Sequence, residues 1–183
     1  MKNFILLALI VSLFACGGAS SETGEHNLSD STVENGIVEY EIDETRTSAV
    51  DFNNELTLIQ TRVYEQINTL FKSDSSNARI NFENTLFEVN LNLKDLKKIQ
   101  IHQGGERFHK ALEELLTFYQ SELENEFEEI IKILEMPASN RSKNEQGRLD
   151  AYDVEFAEDE QEYFSVLNDA QTKFAESNNF KIQ

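Results

Sequence analysis

Residues 106–134 read Glu-Arg-Phe-His-Lys-Ala-Leu-Glu-Glu-Leu-Leu-Thr-Phe-Tyr-Gln-Ser-Glu-Leu-Glu-Asn-Glu-Phe-Glu-Glu-Ile-Ile-Lys-Ile-Leu. Phe108, Leu112, Leu115, Tyr119, Leu123, Phe127, Ile130 and Leu134 recur in it at steps of four and three. That spacing keeps side chains on one face of an α-helix and excludes a strand, whose period is two. It predicts one long helix between the Gly104-Gly105 break and Pro137, which ends it.

The same pattern extends to both sides. From about 48 to 72, Phe52, Leu56, Ile59, Val63, Ile67 and Leu70 form a stripe, with Ser48 as N-cap three residues before Asp51. From about 76 to 101, Phe82, Leu86, Val89, Leu93, Leu96 and Ile99 form another, which Phe87 and Leu91 are expected to widen. Lys94, Lys97 and Lys98 suit the negative end of that helix. A fourth stripe runs through Leu149, Tyr152, Phe156, Tyr163, Leu167, Ala170 and Phe174, with Val166 flanking it. This helix begins at about Arg148, or earlier if Ser142 and Glu145 form a capping box, and runs to Ser177. Four amphipathic helices joined by short turns predict an all-α fold, an antiparallel up-down four-helix bundle over 48–183. The aromatic residues share the spacing of the leucines and isoleucines and read as core.

Upstream, Lys2 precedes an apolar run from Phe4 to Ala15 broken only by Ser12, too short for a membrane span of roughly 20 residues. Leu13-Phe14-Ala15-Cys16 resembles the bacterial lipobox, although Phe14 stands where that pattern favours a smaller residue. The resemblance implies a signal peptide over 1–15 and a lipid on Cys16, the new N-terminus; an ordinary secretory peptide is the alternative. Cys16 is the chain's one cysteine, so no internal disulfide can form and packing alone must hold the fold. Two or more acyl chains give a stable anchor where one gives marginal binding. Gly17 follows the cysteine where some bacteria place an inner-membrane retention aspartate. An outer-membrane or surface destination is therefore expected in a cell with two membranes.

Residues 16–47 carry the lipidated cysteine and a stretch rich in Ser, Thr, Asn, Glu and Asp, whose composition predicts a disordered acidic tether. As a coil its r.m.s. reach is about 30 Å. Within it Val38, Tyr40 and Ile42 alternate with polar residues as a short strand would. Such a strand is unstable alone, so it docks on the bundle, stays disordered or meets a partner.

The formal net charge is −18, becoming −19 once the segment with Lys2 is removed. Nucleic acid and anionic lipid surfaces both recruit clustered cations, so neither is an expected partner of the body. Glu106 and His109 have the Glu-x-x-His spacing of di-iron bundles, but no second such pair exists; His26 lies in the tether and His102 follows Ile99. His109 therefore reads as a solvent-facing residue near a helix start. The acid-rich runs 122–129 and 155–162 lack the loop spacing of an EF-hand and read as solvated faces. One position departs from the pattern. The fourth stripe steps from Phe156 to Tyr163, and its missing inward position falls at Asp159 or Glu160. A carboxylate turned inward there needs a partner or a raised pKa, whereas a kink or an outward roll of the helix is the plainer expectation.

The segment Ala170-Gln171-Thr172-Lys173-Phe174-Ala175, followed by Asn178-Asn179-Phe180-Lys181-Ile182, resembles the end of a family of uncharacterised bacterial surface lipoproteins with helical bodies. Asp51-Phe52-Asn53-Asn54-Glu55-Leu56 looks similar too. That resemblance implies an envelope location and no known reaction. Physically, Asn178 or Asn179 can adopt the left-handed turn that ends a helix and folds Phe180 and Ile182 back. With no Gly-x-Ser-x-Gly turn and no thiol beyond Cys16, no enzyme and no cofactor are expected. The sequence supports a lipid-anchored cell-envelope protein acting as a binding or structural module, with the membrane and an envelope or extracellular protein as partners. The alternative is a bundle that binds a small ligand or a cation.

Overall fold

The computed structural model describes residues 44–182 and their side chains from Ser48 onward. The signal peptide, Cys16, His26 and the alternating segment 37–42 lie outside the described residues. Within them the chain is all-helical: α1 (Glu44–Phe71), α2 (Ala78–Leu96), α3 (Glu106–Glu124), α4 (Phe127–Leu134), a 3-10 turn (Ala138–Asn140) and α5 (Lys143–Ser177).

Each stripe predicted from spacing supplies the core. Phe52, Leu56, Ile59, Val63, Ile67 and Leu70 of α1 are buried, as are Phe82, Val89, Leu93 and Leu96 of α2. Leu112, Leu115, Leu116, Leu123 and Ile131 from α3 and α4, and Leu167 from α5, are almost wholly removed from water. Fully burying such a side chain contributes about 1.5–3 kcal/mol, the term that offsets chain ordering in a fold without disulfides. The helices meet in opposite sequence senses. The Thr85 hydroxyl of α2 lies 3.3 Å from the Gln66 carbonyl of α1, and Gln120 of α3 donates to Asn90 of α2 at 2.6 Å. Between α1 and α5, Phe71 meets Phe156 at a centroid distance of 4.7 Å and Tyr64 meets Phe164 at 5.7 Å. Farther along, Gln171 donates to Asn53 at 2.9 Å and to Thr57 at 3.2 Å.

Helix ends are closed by specific groups. In the first turn, Asp74 accepts from the Ser76 hydroxyl and backbone N–H while its own N–H donates to Asn77. The Arg141 guanidinium donates to the carbonyls of Ile133, Leu134 and Met136, placing a cation on the negative end of α4. Ser142 and Glu145 form the expected capping box, so α5 starts at Lys143 and carries Gly147 inside it. Asn179 takes the left-handed conformation (φ 56°), and Phe180 turns back onto Phe174. Ile182, expected to follow it, is exposed.

Three further expectations are corrected. The single helix over 106–134 is broken at Asn125–Glu126 into α3 and α4. The Asn125 side chain donates to the Ser121 carbonyl at 2.8 Å, where the backbone N–H of Asn125 also bonds, and a side chain competing for helix carbonyls favours termination. Glu128 and Glu129 then fall in the first turn of α4, where the helix dipole favours carboxylates. On α2, Phe87 and Leu91 do not widen the buried face but point outward, 64% and 39% exposed, because α1 and α3 between them cover only the opposite side. Finally, α1 begins at Glu44, four residues before Ser48.

Candidate functional site

An open groove in the described surface lies between α3 and α5. Consecutive residues of α3 diverge there: Tyr119 enters the core, while Phe118 turns to α5 and stacks on Tyr163 at 4.8 Å and 21°. Around this aromatic floor stand Glu113, Glu114, Glu122, Asp159 and Glu162, with Lys110 and Val166 at one end. The small side chains of Ala111, Thr117 and Ser121 leave a groove of about 970 Å³. Lys110, the one cation of the lining, pairs with Glu114 at 3.4 Å. Carboxylates over an aromatic floor suit an organic cation, whose charge is matched at the rim and whose methylenes rest on the rings.

Beneath the groove two tyrosines and two carboxylates cross the α3–α5 interface in reciprocal fashion. Tyr119 of α3 donates to Glu160 of α5 at 2.6 Å, and Tyr152 of α5 donates to Glu122 of α3 at 3.0 Å. Phe156 lies between them, at 6.0 Å from Tyr119 and 5.9 Å from Tyr152. Burial raises the pKa of Glu160 above the usual carboxylate range, and the Tyr119 hydroxyl only partly opposes this. Glu122 is raised by burial and by the neighbouring charges of Glu126, Asp159 and Glu155, again against its tyrosine hydrogen bond. Both phenols are pushed upward, Tyr119 by burial and the facing Glu160, Tyr152 by burial and the facing Glu122. Each pair is thus a neutral donor holding a reluctantly ionised acceptor.

The inward position predicted at Asp159 or Glu160 belongs to Glu160, which is half-buried; Asp159 is exposed on the groove rim. No kink in α5 is needed. Glu106 and His109 do not act together. Glu106 is exposed, while His109 is buried rather than solvent-facing, and its Nε2–H donates to the Leu96 carbonyl at 2.9 Å. A carbonyl can only accept, so that nitrogen carries the proton, and the ring closes the C-terminal end of α2. His102 packs edge-on to Phe174 at 5.5 Å, and its Nδ1 lies 2.8 Å from the Gln103 carbonyl. The two acid-rich runs are shared out: Glu126 and Glu155 flank Arg148, Glu128 holds Arg79, and Glu122, Asp159 and Glu162 face the groove. Among the described residues no group of three or more His, Cys, Asp or Glu side chains is close enough to hold a metal ion.

Sequence reasoning missed the tyrosine partners, because Tyr119 and Tyr152 fit the core stripes as well as any leucine. The signal that was present is chemical: a tyrosine on a buried stripe carries a hydroxyl that requires an acceptor. It also missed the buried Gln171, which fits neither a core stripe nor a solvated face. Compared with protein-family models, curated proteins and solved structures, the chain matches none.

Proposed function

We propose that the chain is a lipid-anchored cell-envelope protein whose helical body is a non-enzymatic binding or structural module. The observation that carries this reading is the sequence Leu13-Phe14-Ala15-Cys16 after a short apolar run headed by Lys2. The body supports a packed module in that polar side chains of the core pair within the fold, as in the Gln171–Asn53 and Tyr119–Glu160 contacts. The described helices are read as an up-down-up-down bundle with α3 and α4 as one broken arm. The opposite senses of the α1–α2, α2–α3, α3–α5 and α1–α5 contacts support that topology. A membrane reached through lipid on Cys16, an outer-membrane or surface location, and an envelope or extracellular protein partner complete the proposal. Membrane fractionation tests it. The wild-type chain should sediment with membranes and the Cys16→Ala chain should not; an equal distribution of the two contradicts the anchor.

The groove between α3 and α5 favours a second reading, a site for a small organic cation. Spermidine is a fitting probe, with calcium as the comparison for a bare charge. At about one hundred times its Kd a ligand adds about 2.7 kcal/mol, a rise in Tm of about 5–10 °C for a body of this size. The rise should vanish in Asp159→Asn/Glu162→Gln, and no rise with either probe contradicts this reading.

A further inference from the structure

Helix α2 carries two apolar faces. The inner one is covered by α1 and α3, while Ile80, Phe87 and Leu91 lie outward, 59%, 64% and 39% exposed. Positions 80, 84, 87, 91 and 94 of α2 advance by alternating steps of four and three, the seam by which one helix packs on another. Asn84 sits among the apolar members as the polar residue of the seam's first half. The seam alone would not name its occupant, but its charges do. Glu83 lies on one flank near the start of the helix, and Lys97 lies on the same flank two heptads later. Among the described residues neither Glu83 nor Lys97 nor Lys94 has an ion-pair partner, although the body is rich in carboxylates.

A pattern with acid at one end of a flank and base at the other is complementary to itself when reversed. A two-fold axis perpendicular to α2 sets Phe87 against the partner's Leu91 and Leu91 against the partner's Phe87. The same axis places Glu83 beside the partner's Lys97, and Lys97 beside the partner's Glu83. A parallel pairing would set Glu83 against the partner's Glu88 twice, whereas the antiparallel one makes two Glu83–Lys97 contacts and brings like charges together only where Glu88 meets its own copy on the other flank. We propose that the outer face of α2 is a homodimer interface at which two copies of the chain pair their α2 helices antiparallel. The helix is about 28 Å long, so the interface belongs with small, transient contacts. The formal charge of −18 on each copy opposes approach and keeps the association weak.

The full chain, purified in mild detergent and released for native mass spectrometry across the micromolar range, tests the proposal. The wild type should show a concentration-dependent dimer. Phe87→Glu should abolish it, and Lys97→Glu or Glu83→Lys should each weaken it at least about tenfold, because two-fold symmetry counts every substitution twice. The double reversal Glu83→Lys/Lys97→Glu should restore it. Far-UV circular dichroism should stay unchanged throughout, since all three side chains are exposed. A monomeric wild type overturns the proposal, as does a dimer that survives Phe87→Glu. A double reversal as weak as the single ones overturns the antiparallel pairing.

Discussion

Replacing Tyr119 with phenylalanine removes one oxygen from the α3–α5 interface and leaves the half-buried Glu160 carboxylate without its donor at 2.6 Å. A hydrogen bond to a charged group contributes about 1.5–3 kcal/mol, and partial access of water to Glu160 places the expected loss near the lower part of that range, about 2 kcal/mol at pH 7. With a urea m-value of about 2 kcal/mol/M the unfolding midpoint should fall by about 1 M. The chain has no tryptophan, so the transition is best followed by far-UV circular dichroism. Glu160→Gln should behave differently. The amide oxygen still accepts from Tyr119 and the cost of burying a charge disappears, so this variant should be at least as stable as wild type at pH 7. In that background Tyr119→Phe loses only a neutral bond, about 1 kcal/mol, leaving about 1 kcal/mol of interaction between the two sites.

The pH dependence has a definite sign. Glu160 has a raised pKa in the folded chain, so the fold binds that proton more tightly than the unfolded chain does. Its stabilising contribution is fully present below the ordinary carboxylate value and is lost as pH rises through the raised one. Wild type should therefore gain on Glu160→Gln as pH falls towards 4.5, the ordinary glutamate value, while the cost of Tyr119→Phe shrinks. A Tyr119→Phe loss under about 0.5 kcal/mol, or an equal loss in both backgrounds, would mean that the Tyr119 hydroxyl does not stabilise an ionised Glu160.

Three other perturbations follow from local geometry. A Cβ on Gly105 would lie 2.5 Å from the Phe52 ring, which is held by Phe108 and Phe174, so Gly105→Ala should destabilise by about 1–3 kcal/mol in the same urea assay. Gly147 lies inside α5 with open space around it, and Gly147→Ala should stabilise by about 0.5–1 kcal/mol. Ser142→Ala breaks the capping box and should cost about 1 kcal/mol, with faster amide exchange in the first turn of α5.

Periodicity revealed the inner face of every helix because burial selects apolar residues at 3.6-residue spacing whatever lies opposite. It could not reveal the break at Asn125, since Leu123, Phe127 and Ile130 keep the steps of four and three across it. Nor could it separate a widened core face from a second exposed one, which is why Phe87 and Leu91 were misplaced. The gap in the α5 stripe pointed to Glu160, yet its partner is 41 residues away on α3, and only tertiary packing brings the two together. His109 shows the same limit. Its hydrogen bond to Leu96 depends on how the loop after α2 returns α3 to the end of that helix.

Intact mass of the mature protein, made in a lipoprotein-competent bacterium and combined with protease treatment of whole cells, decides whether Cys16 anchors the chain at the cell surface. Expected are loss of residues 1–15, a lipid increment that disappears in Cys16→Ala, and cleavage of the body in intact cells. An unmodified soluble product, or a lipidated one shielded from protease, would contradict a surface lipoprotein.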